Sequence, residues 1–155
     1  RELKVKKLAT GHNLDDEAQS IMMNNIKGNL ERSSRLGPMT GTVKDERFIP
    51  RIKPLFFMTE KETATYAHLK RFPIKFSECP NAYGLRRDIM DMLNELENKH
   101  PGTKQAIINS FLDILPILKE KYSDMEIKIC INCGEPSASE TCKSCQILNK
   151  LKAIN

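Results

Sequence analysis

No stretch of this 155-residue chain approaches the roughly 20 consecutive apolar residues of a membrane span, and its opening carries no secretory signal. Both absences lead us to expect a soluble, cytoplasmic protein with no membrane partner. No run of lysine or arginine dominates either, although 25 basic against 20 acidic residues leave a net charge of +5. Such a balance permits nucleic-acid binding without demanding it. Internal repeats and low-complexity tracts are missing, so the length points to one ordinary domain with a small appendage. Strand-like segments are scarce, too few to close a doubly wound sheet unaided. The chain also opens on Arg1, not Met, inside what reads as a helix end followed by a strand. Together these two features lead us to expect a fragment.

What is present concentrates at the segment Thr10-Gly11-His12-Asn13-Leu14-Asp15-Asp16-Glu17-Ala18-Gln19. The apolar run Val5 to Ala9 precedes it, and apolar residues recur at helical spacing after it, so it reads as strand, tight turn and helix start. In an open α/β sheet, ligands bind outside the carboxyl ends of strands. Acids at such a turn suit a Mg²⁺–nucleotide better than a bare phosphate, which favours an undecorated helix N-terminus. A purely structural reading stands beside this one. Asn13 is a good N-cap, Asp16 holds the N3 position of a capping-box pattern, and acids in a first turn complement the helix dipole. His12 alone reads as a turn or core residue.

Four of the five cysteines form two Cys-x-x-Cys pairs, Cys130/Cys133 and Cys142/Cys145, with eight residues between the pairs. Two such corners meeting across a short hairpin place four thiolates around one tetrahedral metal. Gly134 follows the second cysteine, where the backbone turns its amides toward sulfur. Disulfides would suit an oxidising compartment, and a redox pair would explain one motif but not both. A structural Zn²⁺ site is the expectation. Being closed, it leaves no coordination position for chemistry.

Between these motifs the chain reads coarsely. Leu14, Ala18, Ile21, Met22 and Ile26 share a helical face that stops near Gly28-Asn29. Residues 28–58 are polar and basic, carrying Arg32, Arg35, Lys44, Arg47, Arg51 and Lys53. Within them Phe48 to Leu55 is extended, because prolines at 50 and 54 disfavour helix. Thr59-x-x-Glu62 is a capping box opening a helix through Tyr66 and Leu69. Ile74 to Phe76 reads as a short strand leading to Cys79. Two further helices follow, one through Leu85, Ile89, Met92, Leu93 and Leu96, the other from Ile108 to Tyr122 with Pro116 expected to kink it. Methionines 22, 90 and 92 read as core filler. The expected architecture is α/β: a partial Rossmann-like sheet over residues 1–83, a helical extension over 84–126 and a small four-cysteine zinc ribbon over 127–155.

The opening signature resembles the Thr-Gly-His-x-x-Asp-Asp motif of the PP-loop ATP pyrophosphatases, which activate a carbonyl by adenylation. Ile49-Pro50-Arg51-Ile52-Lys53-Pro54-Leu55, Glu78-Cys79-Pro80-Asn81-Ala82 and the cysteine pairs follow it in fixed order. Together the four motifs, from Lys7 to about Leu148, resemble the C-terminal part of the tRNA 2-thiolation enzymes of the TtuA/NcsA type. That family's N-terminal ribbon, its Ser-Gly-Gly-x-Asp-Ser phosphate loop and its central Cys-x-x-Cys pair do not occur here.

The resemblance implies an ATP site at Gly11 and Asp16, with His12 and Asp15 beside them and Mg²⁺ near Asp16. It implies that Cys79 is the third of three catalytic cysteines, which hold a [4Fe–4S] cluster in many members and carry a persulfide in others. Without the resemblance Cys79 would read as a small buried hydrophobe. Cys130, Cys133, Cys142 and Cys145 match the family's second zinc site. The implied reaction is adenylation of a tRNA uridine C2 carbonyl, then sulfur transfer to give 2-thiouridine. A ubiquitin-like sulfur carrier and a homodimer are implied partners. Arg32, Arg35, Arg51, Lys53, Arg86 and Arg87 are candidate tRNA contacts, each equally readable as a solvated face. Two other readings remain open. One is a non-catalytic zinc ribbon that binds RNA or protein. The other is a different PP-loop enzyme, such as a lysidine synthetase or 2-thiocytidine enzyme, against which the ribbon and the Glu78-Cys79-Pro80 element argue.

Overall fold

A computed structural model of the chain describes residues 5–41, 49–74, 83–123, 128–137 and 139–152. Its elements run β1 (Leu8–Ala9), α1 (Leu14–Ile26), α2 (Leu30–Ser34), β2 (Arg51–Ile52), α3 (Glu60–Leu69), α4 (Leu85–Lys99), α5 (Thr103–Lys121), β3 (Lys128–Ile129), β4 (Pro136–Ser137) and α6 (Lys143–Lys152). The mixed helix-and-strand character agrees with the sequence reading.

β1 and β2 pair in parallel, Leu8 opposite Arg51 and Ala9 opposite Ile52. Parallel neighbours require a crossover, and α1 lies in it, so these elements form a β–α–β unit. The amide of Thr10 extends the ladder to the Ile52 carbonyl at 3.0 Å, which fixes the height at which the chain leaves β1 for the acidic turn. α1 then begins where expected. The Asn13 side chain accepts from the Asp16 amide at 3.0 Å, and the Asp16 carboxylate accepts from the Asn13 amide at 3.2 Å. This reciprocal pair satisfies two of the donors a helix start leaves orphaned.

Sequence periodicity extends α1 no further than Gly28, where φ is +63°. The polar stretch beyond it holds a helix that periodicity missed: the Asn29 side chain accepts from the Arg32 amide and opens α2. Five residues are too few to display a hydrophobic repeat, and its buried positions are Ser33 and Ser34.

α4 and α5 both pack on α1. Leu14, Ala18 and Ile21 of α1 join Ile89 and Leu93 of α4, Ile108, Phe111 and Leu115 of α5, and Phe56 from the turn after β2, in one buried core. Leu14, Ala18 and Ile21 were expected on this face, while Ile26 is exposed at the far end. α5 runs unbroken through Pro116, whose missing N–H costs one helical bond. Gly37 passes close over this helix; a Cβ there would stand 2.9 Å from the Leu115 side chain, and φ is +116°. α3 opens with the predicted Thr59–Glu62 capping box but buries none of its residues. Ile74 is exposed, and the strand foreseen from it toward Cys79 lies outside the described residues. No described helix is long and apolar enough to cross a membrane.

Candidate functional site

The acidic turn separates its three carboxylates into three environments. Asp15, 7% exposed, has both oxygens engaged. Oδ1 accepts from the Lys104 ammonium at the start of α5, and Oδ2 accepts from the Glu60 amide at the start of α3, 2.7 Å away. Glu17, 2% exposed, accepts from Lys53 Nζ at 2.6 Å and ties α1 to the residue after β2. Asp16 is different. Its side chain is 36% exposed, its Oδ2 closes the capping box, and its Oδ1 lies 4.0 Å from the Arg86 guanidinium. Of the three acids it is the one that can meet a ligand without breaking a buried ion pair.

The neighbouring positions fit that geometry. Gly11 has no atom within 4 Å of where a Cβ would stand, so the backbone there is open to approach. His12 is exposed, and its Nδ1 lies 3.0 Å from the Thr10 hydroxyl. Gly11, His12 and Asp16 are thus brought together at the carboxyl end of β1, the side on which open sheets bind ligands. Asp15, expected beside them as a nucleotide contact, faces inward instead. With one partner on each oxygen and the side chain buried, this carboxylate is shielded from solvent.

The basic candidates also diverge. Lys53 is buried against Glu17, so its ammonium does not reach a phosphate backbone; the expectation of a tRNA contact there is corrected by this pair. Arg32 and Arg51 are exposed. Arg35 pairs with Glu31, and Arg87 with Asp91 at 3.2 Å, both on exposed helix faces. Arg86 donates to Gln19 Oε1 at 3.2 Å and so bridges α4 to α1 beside Asp16. Cys79 lies outside the described residues, as do Lys44 and Arg47. Sequence reasoning missed Lys104 of α5, whose ammonium meets Asp15, and Asn94 of α4, whose side-chain oxygen accepts from that same ammonium. Their one sequence signal was a lysine in the first turn of a helix that has no acid there, the wrong sign for the dipole.

The second site is built by β3 and β4, an antiparallel hairpin with Lys128 opposite Ser137 and Ile129 opposite Pro136. Cys130 and Cys133 occupy its turn. Gly134 there has φ +72°, and its amide donates to the Cys130 carbonyl at 2.9 Å. Cys142 and Cys145 lie at the start of α6. All four Sγ atoms lie within 4.8 Å of one another. Cys133 and Cys142 are 3.7 Å apart, far beyond the roughly 2.05 Å of a disulfide. The Cys142 amide donates to Cys130 Sγ at 3.2 Å, and the Cys145 amide to Cys142 Sγ at 3.4 Å. Such amides stabilise thiolate: the Cys142 amide leads in lowering the Cys130 thiol from 9.0 to about 6. Sharing the cluster has the reverse effect on Cys145, pushed up to about 12, chiefly by Cys142. Four thiolates this close cannot coexist without a cation among them, so the donor set suits a metal.

Comparison with known proteins follows the same lines. No family model matches the chain. It is 35% identical over 162 residues to the tRNA 2-thiolation protein NcsA of Haloferax volcanii, covering 99% of this chain and 50% of that protein. It is 36% identical over 149 residues to the tRNA-5-methyluridine(54) 2-sulfurtransferase of Pyrococcus horikoshii, covering 96% of this chain and 47% of that protein. Among solved structures it is similar to the U34-tRNA thiolase NcsA of Methanococcus maripaludis with its [4Fe-4S] cluster. The TM-score is 0.74 at 36% identity, over 97% of this chain and 47% of that one. The chain thus spans about half the length of the relatives it matches.

Proposed function

Because the chain belongs, along the length it spans, with the tRNA 2-thiolation proteins of the NcsA/TtuA type, we propose that it forms part of an ATP-dependent tRNA uridine 2-sulfurtransferase. The observation that carries this reading is the sorting of the acidic turn: two carboxylates are neutralised inside the fold, and Asp16 stays open beside Gly11 at the end of a parallel strand. In this reading residues 1–83 contribute to a Rossmann-like nucleotide domain, 84–126 form its helical extension and 127–155 a zinc ribbon. The location is cytoplasmic.

The residues divide the work. Gly11 lets the adenylate approach the backbone, His12 lines the turn, and Asp16 faces the Mg²⁺ that accompanies ATP. Attack of the uridine C2 oxygen on the α-phosphate of ATP would release pyrophosphate and leave C2 bonded to AMP; sulfide-level sulfur would then add at C2, and the C2–O bond would break to expel AMP. Cys79 serves as one of the sulfur-handling cysteines. Cys79 would be one ligand of a [4Fe–4S] cluster, which would supply a binding place for sulfide. Its other ligands would be cysteines that this sequence does not contain. Relatives acting on U34 and on uridine 54 share the C2 chemistry, so the reading stops at that atom. Arg32, Arg51 and Arg86 are exposed basic side chains proposed to meet tRNA phosphates, with Arg35 and Arg87 available by exchanging their surface partners. A ubiquitin-like sulfur carrier and a second copy of the protein are further proposed partners.

Zinc is the metal proposed for the four cysteines. With Zn–S bonds of about 2.3 Å, tetrahedral geometry sets sulfurs about 3.8 Å apart, which the 3.7 Å between Cys133 and Cys142 fits. A four-iron cube binds one cysteine at each corner and spreads the sulfurs wider than this knuckle does. The test is thiolation by the native protein with ATP and tRNA. Asp16→Asn should abolish AMP release and 2-thiouridine together, while Cys79→Ala should abolish 2-thiouridine and leave zinc content unchanged. Thiolation that survives both substitutions would overturn the reading.

A further inference from the structure

Lys104 occupies a place that local rules disfavour. It is the second residue of α5, where the helix dipole repels a cation, and no acid of that first turn offsets it. It is nevertheless buried, at 8% exposure. Its ammonium donates to Asp15 Oδ1 and to Asn94 Oδ1, the latter at 2.6 Å. Glu97 of α4 accepts from the backbone amides of Gly102 and Lys104, at 2.7 and 2.8 Å, and so fixes the α5 start on which Lys104 stands. Asp15 in turn holds the Glu60 amide of α3. One ammonium–carboxylate pair thereby joins α1, α3, α4 and α5, immediately beside Asp16.

We propose that Lys104 is a positioning residue for the nucleotide turn: by neutralising Asp15 inside the fold it sets the first turn of α1 so that Asp16 alone faces the ligand. The proposal rests on the reading of that turn as the Mg·ATP site. Three consequences follow from the contacts. Without Lys104, Asp15 is a buried charge with one partner, the Glu60 amide, and is driven outward to water. Outward movement drags the adjoining Asp16 and unpicks its reciprocal bonds with Asn13. An Asp15 carboxylate released into the turn would also compete for the cation at the wrong position. Such support of a ligating group from behind is worth roughly ten- to a hundredfold in affinity where it has been removed elsewhere.

The experiment compares Lys104→Met, Lys104→Arg and the double variant Lys104→Met/Asp15→Asn with the unsubstituted native protein. It reads melting temperature, Mg·ATP affinity by calorimetry, and amide hydrogen exchange of residues 11–16. Lys104→Met should melt earliest. Lys104→Met should also weaken Mg·ATP affinity roughly tenfold and accelerate exchange at residues 13–16, whereas the double variant, with no buried charge left to expel, should regain most of the melting temperature, the affinity and the slow exchange. Lys104→Arg, which keeps the charge, should recover part of the affinity. A Lys104→Met protein that melts early yet keeps native affinity and native exchange would overturn the positioning role, leaving only a stabilising ion pair, as would a double variant that regains the melting temperature but neither the affinity nor the slow exchange. If the unsubstituted protein binds no Mg·ATP, the nucleotide reading falls by itself. Exchange then decides Lys104: acceleration at residues 13–16 in Lys104→Met, reversed in the double variant, upholds the role in setting the turn, and native exchange in Lys104→Met overturns it.

Discussion

The acidic turn and the four-cysteine knuckle are both clusters of ionisable groups, yet they are stabilised by opposite means. At the turn, each buried carboxylate meets a lysine from another element, Asp15 with Lys104 and Glu17 with Lys53, and an apolar core of α1, α4 and α5 lies beneath them. The knuckle has two-residue strands, a helix with no buried residue, and Cys130 as its buried apolar side chain. One region carries its countercharges in its own sequence; the other must take a cation from solution. On the proposed reading, ligand binding at the turn would use what the fold leaves over, namely Asp16, whereas metal binding at the knuckle would be part of folding itself.

The largest expected effect lies in the knuckle. Structural zinc contributes on the order of 10–16 kcal/mol of apparent binding energy to small domains of this kind. Chelation, or Cys130→Ser, should release about one Zn²⁺ per chain and strip amide protection from residues 128–152, while α1, α4 and α5 keep theirs. Loss of protection across both regions would dissolve the contrast. Next in size are changes inside the core region. Phe111→Ala should cost about 3–5 kcal/mol through the cavity it leaves. Lys53→Met should cost a similar amount, about 3–5 kcal/mol, because Glu17 would remain buried with no cation. Both should appear in denaturant unfolding and leave zinc content unaltered.

Smaller effects sharpen the comparison at the helix ends. Asn13→Ala removes the cap of α1 and should cost about 1 kcal/mol. Glu97 is held below its ordinary 4.5, first by the Lys104 amide it accepts from. A carboxylate lowered by folding stabilises above its unfolded pKa, and that contribution disappears as pH falls through the folded one. Melting temperature should accordingly drop on acidification below about pH 4.5, and the drop should be smaller in Glu97→Gln. An unchanged acid slope in that variant would place the responsible carboxylate elsewhere.

How much of this was legible in the sequence depended on whether the signal was local. Both capping boxes were, because Asn13 to Asp16 and Thr59 to Glu62 each complete their bonds within four residues. The cysteine knuckle was equally plain, since two corners of fixed spacing define it. The division of labour among Asp15, Asp16 and Glu17 was not. Their burial is set by Lys104 and Lys53, which lie 89 and 36 residues away, and no periodicity marks such partners. Lys53 was misread for the same reason: in a basic stretch a lysine looks solvated until its buried partner is known. α2 escaped because a five-residue helix with buried serines carries no apolar repeat.

The central claim is that Asp16 is the carboxylate left for the ligand while its neighbours belong to the fold. The most direct measurement titrates Mg·ATP into the native protein and its Asp16→Asn variant by calorimetry, with melting temperatures taken on the same samples. Asparagine keeps an oxygen to accept from the Asn13 amide, so the variant should melt within a few degrees of the parent and lose Mg·ATP binding. Undiminished binding by a folded Asp16→Asn protein would contradict the account.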